Sequence, residues 1–296
     1  MSAVRNYLSL VKFSHTIFAM PFAFIGFVLG IVFLREHAAD SLPGFWNLMG
    51  LKFVFVVLCM VFARSAAMAF NRYLDRHFDA QNPRTAIREI PAGILQANNV
   101  LLFTIISSIL FVITTWFINA ICFYLSPVAL LVVLGYSYTK RFTPLCHLVL
   151  GIGLSLAPIG AYLAATGVFQ ILPLLFSFAV ICWVSGFDII YALQDDEFDK
   201  SARLNSIPAW LGRAKALAVS RFLHLLSAAF VITAGFIGSF SVFYWMGVVV
   251  FAGMLIYQQS IVKPGDLRRV NLAFMTANGI ASVVFAVFVI VDLLIK

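Results

Sequence analysis

The chain has 296 residues, of which 62% are hydrophobic and only 11% are charged, against roughly 25% charged in soluble domains. That balance excludes a water-soluble globular enzyme and identifies a membrane protein. The formal net charge of +8 therefore has meaning only through its distribution over the two faces of a bilayer, and no nucleic-acid partner is expected.

Crossing a hydrocarbon core of about 30 Å takes about 20 helical residues. Apolar runs of that order recur at 17–34, 53–70, 100–118, 120–135, 146–166, 172–192, 215–238, 241–258 and 271–294. The predicted fold is an all-α membrane protein, a bundle of about nine transmembrane helices with its N-terminus cytoplasmic, forming one domain over 1–296. The runs lack the alternation of a transmembrane barrel strand, whereas helices satisfy their own backbone in lipid. The first run follows a basic start and is not succeeded by a small-residue cleavage site, so it reads as a span rather than a leader. The Ser- and Arg-rich pattern of an organelle transit peptide is also missing, so a bacterial inner (cytoplasmic) membrane is the expected location.

With the N-terminus inside, seventeen of the 20 Lys and Arg fall on the cytoplasmic face, leaving Arg35, Lys52 and Lys296 for the other. This is a strong positive-inside signal. Nine of the 12 Asp and Glu share that face, although carboxylates contribute little to orientation. The acids need a separate explanation.

The first acidic motif closes span two in "NRYLDRHFDAQNPRT", residues 71–85. Asn71, Asp75 and Asp79 share one helical face, since four residues advance a helix only about 40° beyond a full turn. The second closes span six, with Asp188, Asp195 and Asp199 at i, i+7 and i+11. Both lie at helix C-terminal ends, where a carboxylate costs about 0.3–1 kcal/mol and like charges at i and i+4 add to the penalty. A cation should offset them. Hard oxygen donors without His or Cys suit Mg²⁺, which takes one or two carboxylates completed by water and substrate phosphates. Arg84, Arg88, Lys140, Arg141, Lys200 and Arg203 are then candidates for the phosphate oxygens; salt bridges between acidic and basic loops are the alternative. Long cytoplasmic loops are expected at 71–98 and 193–214, with "NPRT" and "IPAG" marking turns in the first.

Arg64 and Asp188 fall inside the apolar runs, where an ionisable group is by default a functional candidate, while Asp292 near the far end of span nine reads as interfacial. Arg64 shares a face with Asn71 seven residues on, and its planar guanidinium suits a bidentate carboxylate. Asp188 could pair with a basic residue, orient a ligand or bond a neighbouring helix. Cys59, Cys122, Cys146 and Cys182 show no metal or disulfide spacing, and the five His are equally dispersed. The 31 Phe read first as core packing.

The segments "RSAAMAFNRYLDRHFDAQNPRTAIREIPAG", "LGYSYTKRFTPLCHLVLGIGLSLAPIG" and "DIIYALQDDEFDKSARLNSIPAWLG" resemble the UbiA superfamily of intramembrane aromatic prenyltransferases, most closely its 4-hydroxybenzoate polyprenyltransferase branch. "YQQ" at 257–259 and the polar start of span nine fit as well, so the resemblance covers nearly the whole chain. It implies that Asn71 and Asp75 hold one Mg²⁺, that Asp195 and Asp199 hold a second, and that Asp79 completes the first motif. It further implies that Arg84, Arg88, Lys140 and Arg141 contact phosphate, with Tyr136 supplying the tyrosine of a Y-x-x-x-K pattern, and that Arg64 holds the acceptor's carboxylate. Asp75, Asp195 and Arg64 would then be the catalytic residues, and Asp188 a further substrate contact. Arg72 stands where relatives often carry an acid, and "QDDEFD" departs from the commoner second motif.

The implied reaction is Mg²⁺-dependent transfer of a polyprenyl group from polyprenyl diphosphate to a ring carbon of 4-hydroxybenzoate in respiratory quinone biosynthesis. A dihydroxynaphthoate-type acceptor of menaquinone biosynthesis is the alternative. A rival of another class is a cation-coupled transporter, but such sites lie near the midplane on broken helices, and these acids sit at cytoplasmic helix ends.

Overall fold

The computed structural model describes residues 3–11, 18–37, 41 and 43–295. Lys12, His15 and Lys296 lie outside the described residues. The elements are α1 (Ala3–Leu10), α2 (Met20–Glu36), α3 (Phe45–Gln81), α4 (Ala97–Trp116), α5 (Ala120–Thr139), α6 (Cys146–Thr166), α7 (Ile171–Ala192), α8 (Asp196–Ser201), α9 (Ile207–Leu211), α10 (Arg213–Ile237), α11 (Val242–Ile261) and α12 (Asn278–Ile295). A 3-10 turn at Leu193–Asp195 joins α7 to α8, and a π-helical turn at Leu272–Ala277 leads into α12.

The protein is all-helical: an isolated bridge between Lys263 and Asp266 is the only β-type pairing among the described residues. Eight of these helices are long and apolar enough to cross a bilayer. The first predicted span corresponds to α2, which is shorter at 17 residues and packs against α6 and α12.

Two predicted loops are folded. The sequence reading places 71–98 in a loop, yet α3 runs unbroken for 37 residues to Gln81, about 55 Å of helix. It stops at Asn82, whose ψ of 117° is extended, because Pro83 bars its predecessor from the helical region. The first acidic motif therefore rides on the last three turns of a rigid rod. Likewise 193–214 holds the 3-10 turn and two short helices, the second capped by Ser206 Oγ accepting from the Ala209 amide at 3.3 Å.

The predicted spans 100–118 and 120–135 are parted by Asn119. Its side-chain oxygen accepts from the Cys122 amide at 2.9 Å and its Nδ2 donates to Leu163 O at 2.8 Å, capping α5 and tying it to the end of α6.

The core lies around α7, the most enclosed of the spans. Trp183 sits with ring centroids 5.4 Å from Phe22, 5.9 Å from Phe251 and 5.2 Å from Phe187. Its Nε1 donates to Asn278 Oδ1 at 3.0 Å, which Gln258 Nε2 also reaches at 2.6 Å. The "YQQ" segment and the polar start of the last span thus supply a buried network that pins α11 and α12 to α7.

Candidate active site

α3, α5 and α7 all end on one side of the bundle, and the polar residues at their ends meet there in pairs. Arg141 Nη2 donates to Asp75 Oδ1 at 3.0 Å. Lys140 Nζ lies 2.7 Å from Asp199 Oδ1. Arg88 Nη1 donates to Asp79 Oδ1 at 2.6 Å. Arg84 forks onto Asp195, with Nε 2.8 Å from Oδ1 and Nη2 bonded to Oδ2. Asp75, Asp79, Asp195 and Asp199 are thus each held by a cation that the sequence assigns to phosphate.

The pairing joins the motifs through neighbouring residues. Lys140 and Arg141 are consecutive at the end of α5, yet one reaches the second motif and the other the first. Asn71 Nδ2 donates to Asp75 Oδ2 at 3.0 Å, so the first two members of the α3 stripe touch as their four-residue spacing requires. Burial would lower the pKa of Lys140, but Asp199 beside it holds the ammonium above lysine's ordinary value. Arg84 behaves alike, with burial opposed by its hydrogen bonds to Asp195. Both cations stay charged across the physiological range.

Among the described residues, no three or more His, Cys, Asp or Glu side chains gather into a metal cage, so the two stripes do not converge as a ready-made all-protein site. The donor set still suits Mg²⁺, which is content with one or two carboxylates when phosphate and water complete its shell. Asp79 Oδ2 is buried without a hydrogen bond, and beyond the Lys140 ion pair so are both oxygens of Asp199. Buried carboxylate oxygens left in that state are the atoms a hard cation satisfies.

Beneath this layer lies an apolar cavity of about 420 Å³ between α3, α4, α5 and α6. Arg64 and Tyr136 line it, and it continues past Cys59 and Ser126 to Ile118, Leu163 and Phe169. Along α6 its lining extends from Leu150 to Ala164, roughly 21 Å of helix. Among the described residues the Phe that line it are Phe111 and Phe169, and the other aromatic in its wall is Tyr136.

Asp188 pairs with His147, its Oδ2 2.7 Å from Nδ1, so of the roles open to it in the sequence the structure gives it a buried imidazole. Lys200 and Arg203 are not brought to the site. Both are exposed, since α8 ends at Ser201 and the chain turns away through Arg203 in a left-handed conformation with φ 55°.

Three contributors escape a reading of the sequence. Asn82 Nδ2 donates to Asp195 Oδ1 at 3.0 Å, Tyr191 OH accepts from Arg84 Nη1 at 3.1 Å, and Arg213 forks onto Asp196 at 3.0 and 2.8 Å. The Asn-Pro pair signals the turn but not its side-chain partner. Tyr191, four residues before Asp195 and so on the same helical face, carries the one signal that could have been used.

Comparison with known proteins gives consistent matches. The profile of the UbiA prenyltransferase family matches residues 19–280. A 4-hydroxybenzoate octaprenyltransferase of Aeromonas hydrophila is 31% identical over 254 residues, 86% of this chain and 86% of its own length. That of Tolumonas auensis is 31% identical over 223 residues, 75% of this chain and 78% of its own. Among solved structures, the apo form of a UbiA homologue from Aeropyrum pernix superposes with a TM-score of 0.81 at 29% identity, covering 94% of this chain and 98% of that one. A homologue from Archaeoglobus fulgidus bound to DMAPP and Mg²⁺ shares the fold, with a TM-score of 0.71 at 19% identity over 98% of this chain and 100% of its own.

Proposed function

The chain belongs to the UbiA prenyltransferase family, and from that premise we propose that it transfers a polyprenyl group from polyprenyl diphosphate to the ring carbon ortho to the hydroxyl of 4-hydroxybenzoate, in respiratory quinone biosynthesis. The observation that carries the reading is the stacking of two layers: four carboxylate–cation pairs at the helix ends, and directly beneath them an apolar cavity that starts at Arg64 and Tyr136. A diphosphate needs the first layer and an isoprenoid tail the second. The names of the relatives from Aeromonas and Tolumonas support the acceptor.

In this reading Arg84, Arg88, Lys140 and Arg141 exchange their aspartates for phosphate oxygens when the diphosphate enters. Asp75, Asp79, Asp195 and Asp199 are thereby freed, and with Asn71 they would hold Mg²⁺. Once bound, the metal supplies positive charge against the leaving group. The four cations stabilise the negative charge that grows on diphosphate as the allylic C–O bond breaks. Tyr136, one turn deeper than Lys140, sits where the tail leaves the polar layer. Arg64, about 10 Å below Asn71 along α3, offers its fork to the carboxylate of the acceptor. The apolar wall keeps water from the allylic carbon. The topology proposed is nine spans in one domain, with the N-terminus and the ion-pair layer on the cytoplasmic side of the inner membrane.

The test is mass spectrometry of the lipids formed when purified protein receives Mg²⁺, geranyl diphosphate and equal amounts of 4-hydroxybenzoate and a dihydroxynaphthoate. Geranylated hydroxybenzoate is expected, and the Asp75→Ala and Asp195→Ala variants should lose it by about 10²-fold or more, the scale set by removing one electrostatic contact in an active site. Naphthoate prenylated alone would move the protein to menaquinone biosynthesis. No prenylated product from folded protein would sink the proposal.

A further inference from the structure

Tyr191 lies on α7 four residues before Asp195, one turn nearer the apolar interior, and is partly buried. Its hydroxyl accepts from Arg84 Nη1 at 3.1 Å, while the same guanidinium forks onto Asp195 through Nε at 2.8 Å and through Nη2. Asn82 closes the group. Its Nδ2 donates to Asp195 Oδ1 and its Oδ1 accepts from the Arg84 amide, both at 3.0 Å. Tyr191 is thus part of the ion-pair layer through direct contact with one of its cations.

The ring is fixed from behind. Phe274, on the π-helical turn that leads into α12, packs against it with centroids 4.3 Å apart and planes tilted by 33°. Arg84 Cζ stands 5.4 Å from the centre of the same ring. A tyrosine held in this way keeps one soft motion, the rotation of its O–H.

That hydroxyl is only half used. A phenol both accepts and donates, and here the oxygen accepts from Arg84 while its proton goes to no acceptor among the described residues. Packing against Phe274 asks for the ring alone, which phenylalanine would supply as well. The oxygen is the part that needs a reason. An O–H beside a guanidinium N–H makes a pair of donors suited to one anionic oxygen, and hydrogen bonds to such an oxygen are among the stronger ones.

We propose that Tyr191 is a diphosphate-binding residue, donating its O–H to the phosphate group that also takes Arg84. The proposal rests on the prenyl-transfer reading above and adds a ligand from outside the two aspartate motifs and the basic residues. Arg84 can release Asp195 and stay tied to α7 through Tyr191 while it turns to the substrate. When the allylic C–O bond breaks, its electron pair stays with the diphosphate, and the charge growing on the phosphate oxygens strengthens a hydrogen bond already in place. The proton remains on the tyrosine.

Two measurements on the full-length protein in detergent test this: calorimetry of inorganic pyrophosphate binding with Mg²⁺, and steady-state kinetics with geranyl diphosphate and 4-hydroxybenzoate. Tyr191→Phe keeps the ring on Phe274 and loses only the O–H. It is expected to weaken pyrophosphate binding about tenfold or more, the weight of one hydrogen bond to a charged group. It should lower kcat/KM for geranyl diphosphate by at least as much and leave KM for 4-hydroxybenzoate unchanged. Tyr191→His, which returns an N–H donor to the ring, should recover part of both losses. Arg84→Gln separates contact from tethering. A direct donor costs a further loss when Tyr191→Phe is added to Arg84→Gln, whereas a tyrosine that acts only through Arg84 adds nothing. If Arg84→Gln binds pyrophosphate too weakly to compare, kcat/KM carries the same cycle. No added loss in that background, or wild-type pyrophosphate affinity in Tyr191→Phe, overturns the proposal alone. A wild type that binds pyrophosphate and forms no prenylated product overturns the prenyl-transfer reading, and the binding arm then still decides the Tyr191 contact.

Discussion

The two flanks of α6 and α7 are built from opposite materials. Towards α2, α11 and α12 the interior is filled by Trp183, Phe22, Phe176, Phe251 and Phe285, each under 2% accessible. Towards α3, α4 and α5 the same helix α6 turns Gly153, Ala157, Gly160 and Ala164 to a space that stays open. Its glycines do different work on each flank. At Gly151 a Cβ would collide with Ser185 and Ile181, whereas at Gly160 it would meet nothing within 4 Å. One lets two helices touch, as small residues do in membrane interiors, and the other leaves room. The packed flank is a scaffold that fixes α7 and its aspartates, and the hollow flank is where a ligand belongs.

Adding one methyl group to each glycine separates these roles. Gly151→Ala should destabilise by about 1–3 kcal/mol, the usual cost of overpacking, and displace the His147–Asp188 pair. Gly160→Ala should be neutral or gain about 0.5–1 kcal/mol, because glycine within a helix is itself destabilising. Unfolding of the purified proteins in detergent reads both. Equal losses would mean that the flanks are packed alike.

A smaller effect maps the hollow by depth. Cys59 and Cys122 both line the cavity. Counted from the Asp75–Arg141 contact, Cys59 lies sixteen residues back along α3 and Cys122 nineteen back along α5, about 24 and 28 Å deep. A membrane-permeant thiol reagent should therefore be slowed at both thiols by long-chain prenyl diphosphates and at neither by geranyl diphosphate. Mass spectrometry of the modified peptides checks this, and protection of Cys122 by geranyl diphosphate would contradict the assigned direction of the tail.

Much of the site can be read in the sequence because helical spacing fixes faces. Asn71 to Asp75 is a contact that four residues dictate, and Arg64 lies on the same stripe. Pairing across elements is another matter. Lys140 and Arg141 are adjacent, and nothing in their order says that one reaches Asp199 and the other Asp75. The length of α3 is only half legible: the stripe from Asn71 to Asp79 reads as helical, yet the charge of the same residues marks a loop from 71, though nothing before Pro83 breaks the helix. Lys200 and Arg203 looked like phosphate ligands by proximity to the second motif, and the end of α8 turns them to solvent. Hollow and packed flanks share the same apolar composition, so the cavity itself cannot be seen until the helices are placed.

The most direct measurement is the initial rate of prenyl transfer to 4-hydroxybenzoate over a series of prenyl diphosphates of increasing chain length, for wild type and Gly160→Leu. With the diphosphate held at the ion-pair layer and the tail descending along α6, the two proteins should match at geranyl diphosphate and diverge with length, Gly160→Leu losing about tenfold or more with long donors, as expected when a pocket cannot admit added carbons. Parallel curves, or an equal loss at every length, would contradict a tail held in this cavity.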